Sequence, residues 1–118
     1  MPKTFDTQYG TIAVSEDVIA TTAGLAAIEC DGLAGMASRR QVVDRLTEVF
    51  GRENPGRGVE VRIVGNEDVQ VELFIIVQYG VNIYETAQRV RQKVEYVLSE
   101  TAGIETPNIQ IYVQGVKF

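Results

Sequence analysis

The 118-residue chain contains no histidine, no tryptophan and only one cysteine, Cys30. Without an imidazole there is no Ser-His-Asp or Cys-His nucleophile, and no ring that titrates near neutral pH as a switch. A tetrahedral zinc site needs several Cys or His ligands, so that chemistry is excluded as well. A lone cysteine closes no internal disulfide. Long apolar runs are also missing: the longest, Leu73 to Val77, falls far short of the roughly 20 residues that span a bilayer. The opening Met1-Pro2-Lys3-Thr4 lacks the apolar stretch of a signal peptide, so a cytoplasmic location is expected. Positive charge is in deficit, with 11 Lys and Arg against 16 Asp and Glu, and the formal net charge of -5 disfavours non-specific polyanion binding.

What is present is the composition of one folded domain, 45% hydrophobic and 23% charged. An N-terminal arm over 1–9 and a single domain over 10–118 are expected. Gly10 to Val14 alternates as a strand, and Ser15 caps a helix over about 16–30 that is rich in small residues and stops at Asp31-Gly32. Gly32-Leu33-Ala34-Gly35 reads as a turn. Ser38 then caps a second helix with apolar positions Val42, Val43, Leu46, Val49 and Phe50, followed by a loop around Pro55. The period then switches to two. Val59, Val61 and Ile63 share one strand face, Gly65 to Asp68 turns, and Val69, Val71, Leu73, Ile75 and Val77 line the next strand. Asn82 caps a helix striped by Ile83, Ala87, Val90, Val94, Val97 and Leu98, ended at Gly103, and Ile109, Ile111 and Val113 alternate in a last strand. The order β-α-α-β-β-α-β predicts an α+β two-layer sandwich, with helices on one face of a mostly antiparallel sheet.

The second sheet face is mixed. Gln70, Glu72 and Gln78 are polar, whereas Phe74, Ile76, Tyr112 and Val116 are apolar. If exposed together, these four form a patch suited to self-association; the competing expectation is that the second helix, or the arm with Phe5 and Tyr9, covers them.

Several stretches carry a family resemblance: Gly10-Thr11-Ile12-Ala13-Val14-Ser15, Gly32-Leu33-Ala34-Gly35-Met36, Gly58-Val59-Glu60-Val61, Tyr79-Gly80-Val81-Asn82-Ile83, Thr101-Ala102-Gly103-Ile104 and Asn108 to Val116. In this order and spacing the chain resembles the alkaline-shock-protein family of envelope stress response proteins of Gram-positive bacteria, in its short form. The resemblance implies a non-enzymatic protein without catalytic residues or cofactor, peripheral at the inner face of the cell membrane through a partner. Two partners are implied, a membrane-anchored relative and a kinase related to dihydroxyacetone kinases that phosphorylates fatty acids.

Two readings compete for the middle of the chain. A G-x-x-G turn between helices is how KH domains clamp single-stranded nucleic acid, which makes Gly32, Gly35, Arg39, Arg40 and Arg45 candidate RNA contacts. Against it, Leu33 and Ala34 are apolar and the chain is acidic. The same basic helix is also suited to an anionic membrane surface or, through Arg39 and Arg40, to an acidic partner protein. Cys30, beside Asp31, reads as a small buried hydrophobe. The function expected from these features is a self-associating scaffold or adaptor that contacts partners through Phe74, Ile76, Tyr112, Val116, Arg39 and Arg40.

Overall fold

The computed structural model describes residues 3–37, 58–65, 68–105 and 107–118. The expected second helix, with Arg39, Arg40 and Arg45, and the loop around Pro55 lie outside the described residues. Among the described residues, six strands and two helices follow in the order β1 (Lys3–Thr7), β2 (Gly10–Val14), α1 (Glu16–Ile28), β3 (Leu33–Met36), β4 (Val59–Val64), β5 (Asp68–Gln78), α2 (Ile83–Ala102) and β6 (Asn108–Lys117). The α+β sandwich is as expected, with two strands, β1 and β3, added to it.

Both helices start where polar caps dictate. The Ser15 hydroxyl accepts from the Val18 amide at 3.2 Å, and Asn82 Oδ1 accepts from the Glu85 amide at 3.0 Å. At the end of α2 Gly103 takes a left-handed conformation, and the Ile104 amide donates back to the Leu98 carbonyl at 3.2 Å.

β5 is the centre of the larger sheet. It pairs in parallel with β6 from Gln70 to Gln78, which occupies one of its edges. On the other edge it is antiparallel to β4 over Asp68 to Leu73 and to β3 over Ile75 to Val77. β4 has six residues and β5 has eleven, so β4 leaves about half of that edge open. Unpaired buried backbone groups are costly, and β3 satisfies them. This is why Leu33 to Met36 is a strand and not the expected turn; four residues with a glycine carry too short an alternation to signal one. The junction falls at Phe74, whose amide donates to the Gly58 carbonyl and whose carbonyl accepts from the Ala37 amide, both at 2.8 Å.

The helix-facing side of β5, Val69, Val71, Leu73, Ile75 and Val77, is buried together with Val59, Val61 and Ile63 of β4. Ile19, Ala23, Ala26 and Ala27 of α1 and Val90, Val94 and Leu98 of α2 close on it. The alanines let α1 approach closely, as their composition implies. β1 and β2 form a separate hairpin with Phe5 opposite Ile12 and Lys3 opposite Val14. The arm expected over 1–9 is therefore largely its first strand. The Phe5 ring lies near Gly103, where an added Cβ would meet it at 3.5 Å, and Tyr9 is almost wholly exposed, so the arm does not cover the second sheet face.

Gly58 is where β3 and β4 crowd each other: its φ is +80°, and an added Cβ would stand 2.5 Å from the Ala37 carbonyl oxygen. Gly58→Ala should therefore cost about 2 kcal/mol or more in urea unfolding, from left-handed strain plus the clash. Gly35→Ala, which meets nothing within 4 Å, should stay within about 0.5 kcal/mol of the parent. Equal effects at the two glycines would contradict the shared-edge arrangement.

Candidate functional site

The second face of the sheet carries Gln70, Glu72, Phe74, Ile76 and Gln78 of β5. Phe74 and Tyr112 sit side by side in register, and their rings stack with centroids 5.1 Å apart and planes 15° off parallel. Phe74 is only 7% exposed and Ile76 is half-buried, so the expected open patch is reduced largely to Tyr112. The Tyr112 hydroxyl donates to Gln110 Oε1 at 2.7 Å, giving the ring a polar rim.

Val116 does not belong to this face. The β5–β6 register shifts between Ile75 and Ile76, so that Val113 pairs with Ile75 but Gly115 pairs with Ile76 and Val116 with Val77. The extra residue, Gln114, is a bulge, and a bulge inverts the alternation beyond it. Val116 therefore shares the helix-side face with Val77. Strict alternation from Tyr112 places it on the opposite side, and the bulge is what corrects that.

The Gly32 to Gly35 segment is likewise not a helix-to-helix clamp. Gly32, at φ +90°, packs against the Thr86 side chain, and its carbonyl accepts from the Gln78 amide at 2.9 Å. With Leu33 to Met36 paired to β5, the loop that a phosphate clamp needs is absent there. Leu33 and Ala34 instead border an open cleft of about 480 Å³ with Gln78, Tyr79, Lys117 and Phe118. The Tyr79 and Phe118 rings stand 5.1 Å apart at its rim, both largely exposed. Such a cleft lacks the enclosure of a small-molecule site.

Sequence reasoning missed the outer face of α1. From Val18 to Ile28 this helix has no charged residue, and Val18, Leu25 and Ile28 recur at helical spacing on the side away from the buried Ile19, Ala23 and Ala27. They are 53%, 49% and 49% exposed. A helix without charge around its circumference is ordinarily enclosed on all sides, and this one is enclosed on one. The signal lay in the missing charges, but the same residues also serve a helix docked on a sheet.

Cys30 is half-buried beside α2, with its sulfur 3.9 Å from the Arg89 carbonyl. Burial pushes its thiol above the ordinary value of 9.0, although Lys93 and Arg89 pull the other way. That positive neighbourhood comes from α2 and is invisible from Asp31 alone; burial outweighs it. Among the described residues no group of three His, Cys, Asp or Glu is placed to hold a metal, and no helix is long and apolar enough to cross a membrane.

The described surfaces are thus apolar and aromatic patches set on a small sandwich. Residues 4–118 match the model of the alkaline shock protein 23 family, described as having a cell envelope-related function, and the chain belongs to that family. An uncharacterized protein of Bacillus subtilis, YloU, is 47% identical over 111 residues, covering 94% of this chain and 92% of the relative. The uncharacterized protein Spy1614 of Streptococcus pyogenes is 32% identical over 112 residues, covering 95% and 92%. YqhY, also of Bacillus subtilis and uncharacterized, is 30% identical over 113 residues, covering 96% and 82%. No solved structure matches the chain.

The raised thiol sets a direction for Cys30 reactivity. Thiolate is the reacting form, so at pH 8 iodoacetamide should label folded Cys30 several-fold more slowly than the urea-unfolded chain. Equal rates would contradict the burial assigned to it.

Proposed function

We propose that this family member is a non-catalytic, self-associating scaffold that works at the inner face of the cell envelope by holding partner proteins on its surfaces. The observation that carries the reading is the outer stripe of α1. Val18, Leu25 and Ile28 form an apolar strip along an uncharged stretch of helix, with Glu16 and Asp17 at one end and Glu29 at the other. Such a strip suits an amphipathic helix of a partner, docked by its own apolar face. Asp17, exposed at the N-terminal end, would favour a partner helix with a basic flank, as juxtamembrane segments on the cytoplasmic side commonly have; Glu29 at the other end is already paired with Lys93. A membrane-anchored relative fits that description, and a fatty-acid-kinase-like protein is a second partner of the same reading. Peripheral location follows from such a contact, with no lipid insertion by this chain.

The absence of histidine and of a second thiol removes imidazole-based and dithiol chemistry, in keeping with a non-catalytic role. Surface presentation requires neither.

Leu25→Lys tests the reading in cells that express the protein naturally. Because Leu25 is half exposed, the variant should unfold within about 0.5 kcal/mol of the parent, as surface changes do. It should nevertheless move from the envelope fraction to the soluble fraction after gentle lysis. A folded variant that still sediments with the envelope would overturn α1 as the docking face.

A further inference from the structure

We propose that two copies of the chain pair antiparallel through the outer edges of β6, about a two-fold axis at Tyr112, to make one continuous sheet. The inference rests on the self-associating reading above and gives it a surface, a partner and a register.

The two edges of the larger sheet are treated differently. One is made of β4, only six residues long and bearing Glu60 and Arg62, and of β3, only four residues long. Short strands and charges are the usual means of preventing edge-to-edge pairing. β6 has neither of these; the bulge at Gln114 is the one such device it carries, and a second β6 brings the same bulge. It runs ten residues, contains no proline, and carries no charge until Lys117. Among the described residues it pairs with β5 alone. An edge of that length offers a row of backbone donors and acceptors to a second strand.

The side chains specify that second strand as another β6. Counting Gln114 as the extra residue of each strand, antiparallel pairing sets Ile109 opposite Val116, Ile111 opposite Val113 and Tyr112 opposite its own copy. Every opposed pair then lies on the same face of the sheet. The bulge makes this possible, because Val116 reaches the helix-side face only through it. On that face Val113 and Val116 are 36% and 40% exposed. Next to Ile109 and Ile111, α2 leaves an open groove of about 160 Å³ lined by Tyr84, Ala87, Gln88, Arg91, Ile109 and Ile111. Each copy thus offers two exposed valines to the other's open groove.

Charge supports the same direction. β6 begins just after Glu105, at the end of the sheet where Asp68 starts β5, and it ends at Lys117. Antiparallel pairing brings Lys117 of one copy to the acidic end of the other and keeps the two lysines at opposite ends of the ribbon. Parallel pairing would set the lysines side by side. An isologous pairing of this kind closes on itself as a dimer, leaving the α1 stripe of each copy free for other partners.

Four versions of the full chain test the pairing by sedimentation velocity over a concentration series and by disulfide cross-linking, with circular dichroism to confirm the fold. The parent should sediment as a dimer, and Val113→Lys with Val116→Lys should convert it to a folded monomer. In a Cys30→Ser background, Tyr112→Cys should form an inter-chain disulfide under mild oxidation, whereas Gln92→Cys on the exposed side of α2 should not. The cysteine pair needs no charge insertion, so it decides the matter even if the lysine variant fails to fold. A parent that associates but gives no cross-link at position 112, and keeps its size in the lysine variant, overturns the β6 pairing and leaves self-association standing. A parent that stays monomeric throughout overturns both.

Discussion

β5 is hydrogen-bonded along both edges for most of its length, and the rest of the larger sheet depends on that. Near its middle, Phe74 holds the start of β4 with its amide and the end of β3 with its carbonyl, each at 2.8 Å. Its alternate residues Val69, Val71, Leu73, Ile75 and Val77 supply the floor on which both helices rest. Removing a side chain of this size from such a position typically costs about 2 to 5 kcal/mol, a large fraction of a small domain's stability. The helices are held where the floor holds them, α1 through its alanines and α2 through Val90, Val94 and Leu98. Ion pairs between them add little: Lys93 and Glu29 lie 3.5 Å apart at an exposed position, where such a pair is worth well under about 1 kcal/mol.

One consequence of this centring is an asymmetry in what remains exposed. The floor is consumed by packing, the antiparallel edge is divided between two short strands, and Phe74 is buried against Tyr112 on the second face. Among the described residues, apolar surface is left on the far side of α1, along β6 and at the Tyr79–Phe118 rim. The first two are different elements on different sides of the molecule, which suits a protein that contacts copies of itself and another partner at the same time. Membership in a family with an envelope-related function gives that arrangement a setting.

The fold is legible in the sequence wherever a period or a cap speaks clearly. Ser15, Asn82 and Gly103 mark helix ends, and the alternation from Val59 to Val77 gives β4 and β5 directly. β3 is not legible, because its strand character comes from the length mismatch between β4 and β5 and not from its own residues. β1 is hidden for a similar reason: in Lys3 to Thr7 only Phe5 is apolar, and the pairing with β2 supplies the rest. Of the expected contact residues, Tyr112 is where the alternation puts it. Phe74 is on the expected face but buried, and Val116 is turned to the other face by a bulge at Gln114 that strict alternation cannot foresee. The RNA reading of Gly32 and Gly35 depends on a turn that tertiary pairing converts into a strand. Arg39, Arg40 and Arg45 lie outside the described residues.

A long sheet edge that serves as an association surface must lose solvent access when copies meet, and that can be measured without any substitution. Hydrogen-deuterium exchange, followed by mass spectrometry across a dilution series, is the direct test. Peptides covering 108–117 should exchange more slowly as concentration rises, while those covering the β1–β2 hairpin stay constant. Exchange in 108–117 that does not depend on concentration would contradict association through β6.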